Sequence, residues 1–334
     1  MDAIRVAIYK ALEADQPMTV RQVFYRLTSQ GVIPKLESEY NQTVVRLLGE
    51  MRRDGSIPFE WLADATRWMR KPTTYSSMEE ALRNTAQAYR RDLWNDGSEY
   101  VEIWLEKEAL AGVLVDVTDP WDVPLMVTRG YSSISYLHSA AKTIYERAKQ
   151  GKRTTLYYFG DRDPSGVDID RAIRQGIGES LLTLEMAAAA AADRDLPLRA
   201  GWHLISSLFG AEGDQAEAKE GAFESYASFE RVAVTEEQIA EWDLQTRPTK
   251  PKDTRAKKFG DKVSVELDAI PPGELRRLAE ETINRHVDRA RLKVLQLAEA
   301  EERKGLEQIA ARLDGEHYAW AGAIGLDAQN GEGP

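Results

Sequence analysis

Residues 100–106, YVEIWLE, and residues 154–160, TTLYYFG, decide the fold. Each is a short apolar run rich in aromatic and β-branched residues, and each delivers an acidic residue at its end: Glu106 in the first, Asp161 directly after the second. Between them EALAGVLVDV (108–117) and ISYLHSAAKTIYERAKQ (134–150) carry helical spacing, on either side of a further strand, VPLMVT (123–128). That alternation predicts an α/β fold with a parallel sheet flanked by helices. Further on, FERVAVT (229–235) predicts another strand and TEEQIAEW (235–242) a capped helix. TRPTKPKDTRAKKFGDK (246–262) reads as a polar connection rich in Lys and Arg. Residues 271–313, opened by Pro271-Pro272, read as almost wholly helical. The run Ala187–Ala192 reads as helix surface rather than chemistry.

Ahead of the sheet the pattern is helical. Ile4, Ala7, Ile8 and Ala11 recur at helical intervals, and Thr19 stands as an N-cap with Gln22 in the capping-box position. The second helix runs through Val23, Phe24 and Leu27 to a stop at Gly31, and a third spans about residues 41–53. An Asp54-Gly55 turn and the extended Ile57-Pro58-Phe59 follow. This is the order of a winged helix, which docks one helix in the DNA major groove; three-helix units are as often plain packing modules. Residues 72–98 read as one amphipathic helix connecting two domains.

Composition narrows the chemistry. The 334 residues include no cysteine, which removes disulfides, thiolate metal sites and cysteine nucleophiles, and a cytoplasmic location is expected. No stretch approaches the roughly 18 apolar residues of a membrane span, so no membrane partner is expected. His138, His203, His286 and His317 lie too far apart for a zinc pair at helical spacing. The formal charge of −11 argues against a generally basic surface. Residues 1–95, however, hold 14 Lys and Arg against 12 Asp and Glu, while the rest holds 30 against 43. The N-terminal third is thus the expected contact surface for nucleic acid.

In a parallel sheet, ligands gather at the carboxyl ends of the strands. Glu106 ends one strand, and Asp161 and Asp163 leave another in the turn Asp161-Arg162-Asp163-Pro164-Ser165-Gly166, 55 residues downstream. Three carboxylates without histidine or thiol are oxygen-only ligands, suited to magnesium or manganese. An Asp-rich turn alone is more often a solvated loop; the strand-terminal Glu106-Lys107 upstream reverses those odds.

WLEKEAL (104–110) followed by GDRDPSG (160–166) resembles the Toprim motif pair of topoisomerases, primases and related nucleases. VRQVFYRL (20–27) is similar to the Arg-x-x-(Phe/Tyr)-Tyr motif of the type IIB topoisomerase A subunit (topoisomerase VI) and of the meiotic double-strand-break protein. VSVELDAI (263–270) resembles that family's Glu-(Leu/Ile)-(Asp/Glu)-Ala-Leu segment, and MVTRGYSS (126–133) its Gly-Tyr-Pro stretch, with Ser132 in place of proline. The resemblance covers roughly residues 15–290, and in size the chain resembles the compact, stand-alone A-subunit relatives called Topo mini-A. A departure besides Ser132 is the insertion-like region 176–225.

The resemblance implies a winged-helix DNA-binding domain with the catalytic tyrosine at residues 1–71 and a linker helix at 72–98. It implies a Toprim-type metal-binding domain with a C-terminal helical extension at 99–320, after which the polar residues 321–334 read as a flexible tail. Tyr25 takes the position of the nucleophile, Glu106, Asp161 and Asp163 those of the Mg2+ (or Mn2+) ligands, and Lys107 that of a phosphate contact. Attack on double-stranded DNA would leave a 5′-phosphotyrosyl link and a free 3′-OH. It further implies a homodimer in which Tyr25 of one subunit meets the acids of the other. A phenol, with a pKa of about 10, needs help to ionise. Arg21, one helical turn before Tyr25, could stabilise the phenolate or grip the attacked phosphate. No P-loop is present, so any ATP-driven strand passage requires a separate ATPase subunit. Two other readings compete: a hydrolytic Toprim nuclease acting in plasmid or phage defence, and a non-enzymatic winged-helix DNA-binding protein.

Overall fold

The computed structural model describes residues 2–63, 73–192, 215–248 and 263–315. At its centre is an all-parallel sheet of four strands in the order β2-β1-β3-β4, with β1 at Glu99–Leu105, β2 at Leu125–Val127, β3 at Arg153–Phe159 and β4 at Ala227–Ala233. Strands β1 and β3 pair over their full length, from Glu99 opposite Arg153 to Leu105 opposite Phe159. Ile103, Trp104 and Leu105 on β1 and Leu156, Tyr157, Tyr158 and Phe159 on β3 are all buried. Consecutive buried residues mean that both faces of the sheet are covered, which is why these strands read as apolar runs rather than alternating patterns. Helices Ile134–Lys149, Pro164–Ala192 and Gln215–Tyr226 supply Ile144, Ile173, Leu181 and Phe223 to a core built on Trp104 and Tyr158. The α/β architecture is as expected. No helix among the described residues is long and apolar enough to cross a membrane.

The N-terminal helices also form where the sequence places them: α1 at Asp2–Ala14, α2 at Val20–Ser29, and a helical stretch that passes through a π-helical turn, Tyr40–Val45, into Arg46–Arg53. Thr19 and Gln22 form the capping box: the Thr19 hydroxyl accepts from the Gln22 N–H and the Gln22 side-chain oxygen accepts from the Thr19 N–H. Ile8, Leu12, Val23, Leu27, Val44 and Leu48 meet in a core of their own. The expected extended segment after Asp54-Gly55 differs. Ile57 is buried, Pro58 leads into a 3-10 turn at Phe59–Trp61, and a single parallel bridge joins Met18 to Leu62. Among the described residues of this region there are three helices and no strand pair of a wing.

The chain divides into two compact units, one of Met1–Trp68 with Asp96–His286 and one of Met69–Asn95 with Val287–Pro334. In the second unit the connecting helix is shorter than the expected 72–98: it spans Met78–Ala88. Tyr89 leaves it in extended conformation because its carbonyl accepts from Arg303, its hydroxyl bonds Glu302, and the Arg91 N–H bonds Glu299. These partners all lie on the helix Arg289–Gly315. The expected single helix over 271–313 is two, Pro272–Asn284 and Arg289–Gly315. The expected tail at 321–334 and most of the basic connection 246–262 lie outside the described residues.

Candidate functional site

The parallel pairing of β1 with β3 sets the site. Because Leu105 is opposite Phe159, the next residues, Glu106 and Gly160, leave the sheet side by side, and the Glu106 N–H bonds the Phe159 carbonyl at 2.8 Å. Only glycine fits at 160: a Cβ there would lie 2.4 Å from the Tyr158 ring and 2.7 Å from Glu106 Oε2. Glu106 Oε2 accepts from the Asp161 N–H at 2.8 Å and from the Tyr158 hydroxyl at 3.3 Å. The Asp-x-Asp turn is equally tight, since a Cβ at Gly166 would sit 2.1 Å from the Asp161 carbonyl oxygen. Asp163 Oδ1 accepts from the N–H groups of Ser165 (3.0 Å) and Gly166 (2.8 Å). It thereby holds the first turn of the helix Pro164–Ala192.

A segment absent from the expected site completes it. Residues 263–268 run along the Asp161 turn, with Val265 and Arg162 exchanging both backbone hydrogen bonds at 2.9 Å. This brings in Glu266 and Asp268. The Lys107 ammonium lies 2.6 Å from Asp268 Oδ2, 3.0 Å from Asp161 Oδ1 and 3.5 Å from Glu266 Oε2. Asp268 Oδ1 also accepts from the Thr19 hydroxyl at 3.4 Å, tying this cluster to the cap of α2. Glu266 pairs with Arg247, whose other nitrogen is 3.6 Å from Asp163 Oδ2.

Tyr25 arrives from α2. It is 6% exposed, its ring meets Phe24 edge-on at 5.7 Å and carries the Lys35 ammonium 5.0 Å from its centre, and its hydroxyl lies within reach of the Glu266 charge. Burial raises the phenol pKa well above its ordinary value, the charge of Glu266 raises it further, and Lys107 and Arg21 only partly offset them. Arg21 itself bonds Glu37 at 3.2 Å and lies 4.3 Å over the Tyr40 ring. The expected activation of Tyr25 by Arg21 is therefore outweighed in this conformation. Glu266 is held below the usual carboxylate range: burial opposes this, but Lys107, Arg247 and Arg21 together prevail.

Glu106 is an acid whose charge is poorly compensated. Burial first, and then the charge of Asp161, push it from 4.5 up to about 7. Asp161, 8% exposed, is also raised by burial, against the pull of Lys107 and of the Leu267 N–H that donates to it at 2.8 Å. The donor set fits a hard divalent cation in kind: carboxylate oxygens only, with a surplus of negative charge at adjacent strand ends. Its placing is not closed. Among the described residues no group of three acidic or histidine side chains is placed to hold a metal ion. Asp161 is turned to Lys107 and Leu267, and Asp163 to the helix start.

The shift of Glu106 predicts a stability signature. A carboxyl raised on folding contributes stability that is complete below 4.5 and lost as pH rises through about 7. In EDTA, Glu106→Gln is expected to be more stable than the wild type by about 2–3 kcal/mol at pH 8 and indistinguishable from it near pH 4, by urea unfolding. An equal difference at both pH values contradicts this electrostatic origin.

No protein-family model matches the chain, and neither a curated protein nor a solved structure does.

Proposed function

We propose that this chain cleaves double-stranded DNA by transesterification through Tyr25, in the manner of the topoisomerase VI A subunit, on a winged-helix-derived helical unit joined to a Toprim-type sheet. The observation that carries the reading is that Glu266, whose charge acts on the Tyr25 phenol, is joined through Lys107 to Asp161 at the strand ends. The spacing resemblance in VRQVFYRL, WLEKEAL, GDRDPSG and VSVELDAI thus corresponds to residues that meet in space.

In the proposed reaction the Tyr25 oxygen bonds the phosphorus and the bond from phosphorus to the 3′-oxygen breaks. The phenolic proton passes to the nearby Glu266 carboxylate, and the departing 3′-oxygen takes up a proton from water. Lys107 supplies positive charge to the phosphate. Glu106, Asp161 and Asp163 would hold Mg2+ or Mn2+, which when bound neutralises charge developing on the phosphate. Supercoiled plasmid incubated with the protein and Mg2+, then stopped with SDS, should carry protein on its 5′ ends, and EDTA should abolish the product. Breaks without attached protein point instead to the hydrolytic nuclease, and retention of uncut plasmid points to a DNA-binding protein. The hydrolytic reading has its own support in the burial and raised pKa of Tyr25, which an attacking water would bypass.

The resemblance implies a site shared between subunits, whereas Tyr25, Glu266 and Lys107 meet within one chain. Mixing Tyr25→Phe and Glu106→Ala chains, with heterodimers verified by differential tags, is therefore expected to restore no cleavage. Nicks outnumbering double-strand breaks after mixing would reinstate the shared site.

A further inference from the structure

The turn 161–166, which carries Asp161 and Asp163, is gripped by a residue of β4. Arg231 is the one basic residue in the stretch FERVAVT (229–235), and its side chain is only 12% exposed. Its Nε donates to Asp170 Oδ2 at 2.7 Å, and its Nη2 donates to Asp170 Oδ1 and to the Gly166 carbonyl, both at 2.8 Å. Its Nη1 donates to the carbonyls of Gly160 at 3.0 Å and Asp161 at 3.2 Å. The N–H groups of the guanidinium are thereby all used, on one carboxylate and on the backbone that enters, begins and ends the turn. The same guanidinium lies 5.2 Å over the Tyr158 ring, whose hydroxyl donates to Glu106 Oε2 at 3.3 Å. Arg231 thus reaches the supports of all three candidate ligands: Tyr158 beside Glu106, the Asp161 carbonyl, and Gly166, whose N–H bonds Asp163.

The pairing with Asp170 decides what this contact does. A guanidinium held by both oxygens of one carboxylate forms a neutral pair, so it leaves the negative charge of Glu106, Asp161 and Asp163 to a cation instead of cancelling it. A lysine would bring the same charge on a single nitrogen, which cannot span Asp170 and three carbonyls in a fixed plane. We propose that Arg231 is a positioning residue for the reaction: it sets the path of the 161–166 turn, and so the aim of Asp161 and Asp163 at a divalent cation. The inference rests on the cleavage reading above. In this conformation Asp161 faces Lys107 and Asp163 the helix start. With the backbone fixed, a cation needs only side-chain rotation to collect them.

The test reads two quantities on the full chain. In EDTA, hydrogen exchange followed by mass spectrometry on peptides covering 160–167 reports opening of the turn. Without EDTA or DNA, Mn2+ is titrated in and the free ion is counted by electron paramagnetic resonance. Arg231→Lys should speed exchange in 160–167 about tenfold and weaken Mn2+ binding about tenfold, the scale on which supports of metal ligands act. Asp170→Asn, which keeps the guanidinium but removes the charge that holds it, should move both in the same direction, and it decides the question should Arg231→Lys not fold. Ile144→Ala, a core truncation on the helix Ile134–Lys149, should lower stability and move neither. Wild-type exchange and Mn2+ affinity in a folded Arg231→Lys or Asp170→Asn chain overturn the proposal. So does an equal response of Ile144→Ala, which would make Arg231 an ordinary stabilising group, and so does a wild type that binds no Mn2+. Plasmid reactions keep the two readings apart. If the wild type forms adducts while the Arg231 and Asp170 variants match it in both quantities, the cleavage reading stands and Arg231 alone falls. If both quantities respond in the variants but the wild type forms no adduct, the cleavage reading falls and Arg231 still sets the turn.

Discussion

Tyr25→Phe is expected to remove every covalent protein–DNA adduct while leaving the fold intact. The substitution deletes one oxygen and keeps the ring, so the contact with Phe24 and the Lys35 ammonium over the ring persist. The deleted hydroxyl is the group on which the Glu266 charge acts, and that carboxylate retains Arg247 and Lys107. Since the partner stays paired, the stability change should stay within about 1 kcal/mol. The chemical effect is of another order, because the variant lacks the oxygen that bonds the phosphorus in the proposed reaction. SDS-stopped plasmid reactions, with DNA-linked protein counted after nuclease digestion, measure it directly. If Tyr25→Phe nicks plasmid at the wild-type rate, water is the nucleophile and the hydrolytic reading replaces this one.

What the sequence disclosed of this site follows the range of the interactions involved. The capping box at Thr19 and Gln22 is local, three residues apart, and forms as read. The strand runs and the side-by-side placing of Glu106 with Asp161 follow from parallel pairing, which short apolar runs separated by helical spacing already imply. Glu266 and Asp268 were legible only as part of a family-like segment, because their role depends on a bridge between Val265 and Arg162 that spans a hundred residues of chain. The alternation of carboxylates in VELD was the available signal: two acids two apart in extended chain share a side. The environment of Tyr25 was hidden for the same reason. Arg21 is correctly one turn away, but Glu37 and Tyr40 hold its guanidinium, and Glu266 dominates the field at the phenol. The linker helix was overextended because periodicity does not register that Arg303 and Glu302 capture Tyr89.

Lys107→Met should be the most destabilising single change at the site. The Lys107 ammonium is the common counter-ion of Asp161, Glu266 and Asp268, which are 8%, 8% and 3% exposed. Glu266 retains Arg247, but among the described residues Asp161 keeps the Leu267 N–H and Asp268 the Thr19 hydroxyl, with no second cation. Breaking a buried ion pair by removing one partner costs about 3–5 kcal/mol, because the remaining charge is desolvated and uncompensated. The penalty has a pH signature with a definite sign. Without Lys107, Asp161 is raised further and Glu266 loses its largest source of depression, so the variant recovers stability as pH falls and these carboxyls take up protons. Urea unfolding at pH 8 and again near pH 4.5 should show a large deficit that shrinks markedly at the lower pH. Lys107→Arg, which keeps the charge, should lose much less at pH 8. If Lys107 instead served only as an exposed phosphate contact, its loss would change stability by no more than about 0.5 kcal/mol at either pH. DNA affinity alone would then suffer, and the acidic segment 266–268 would have no part in holding the site together.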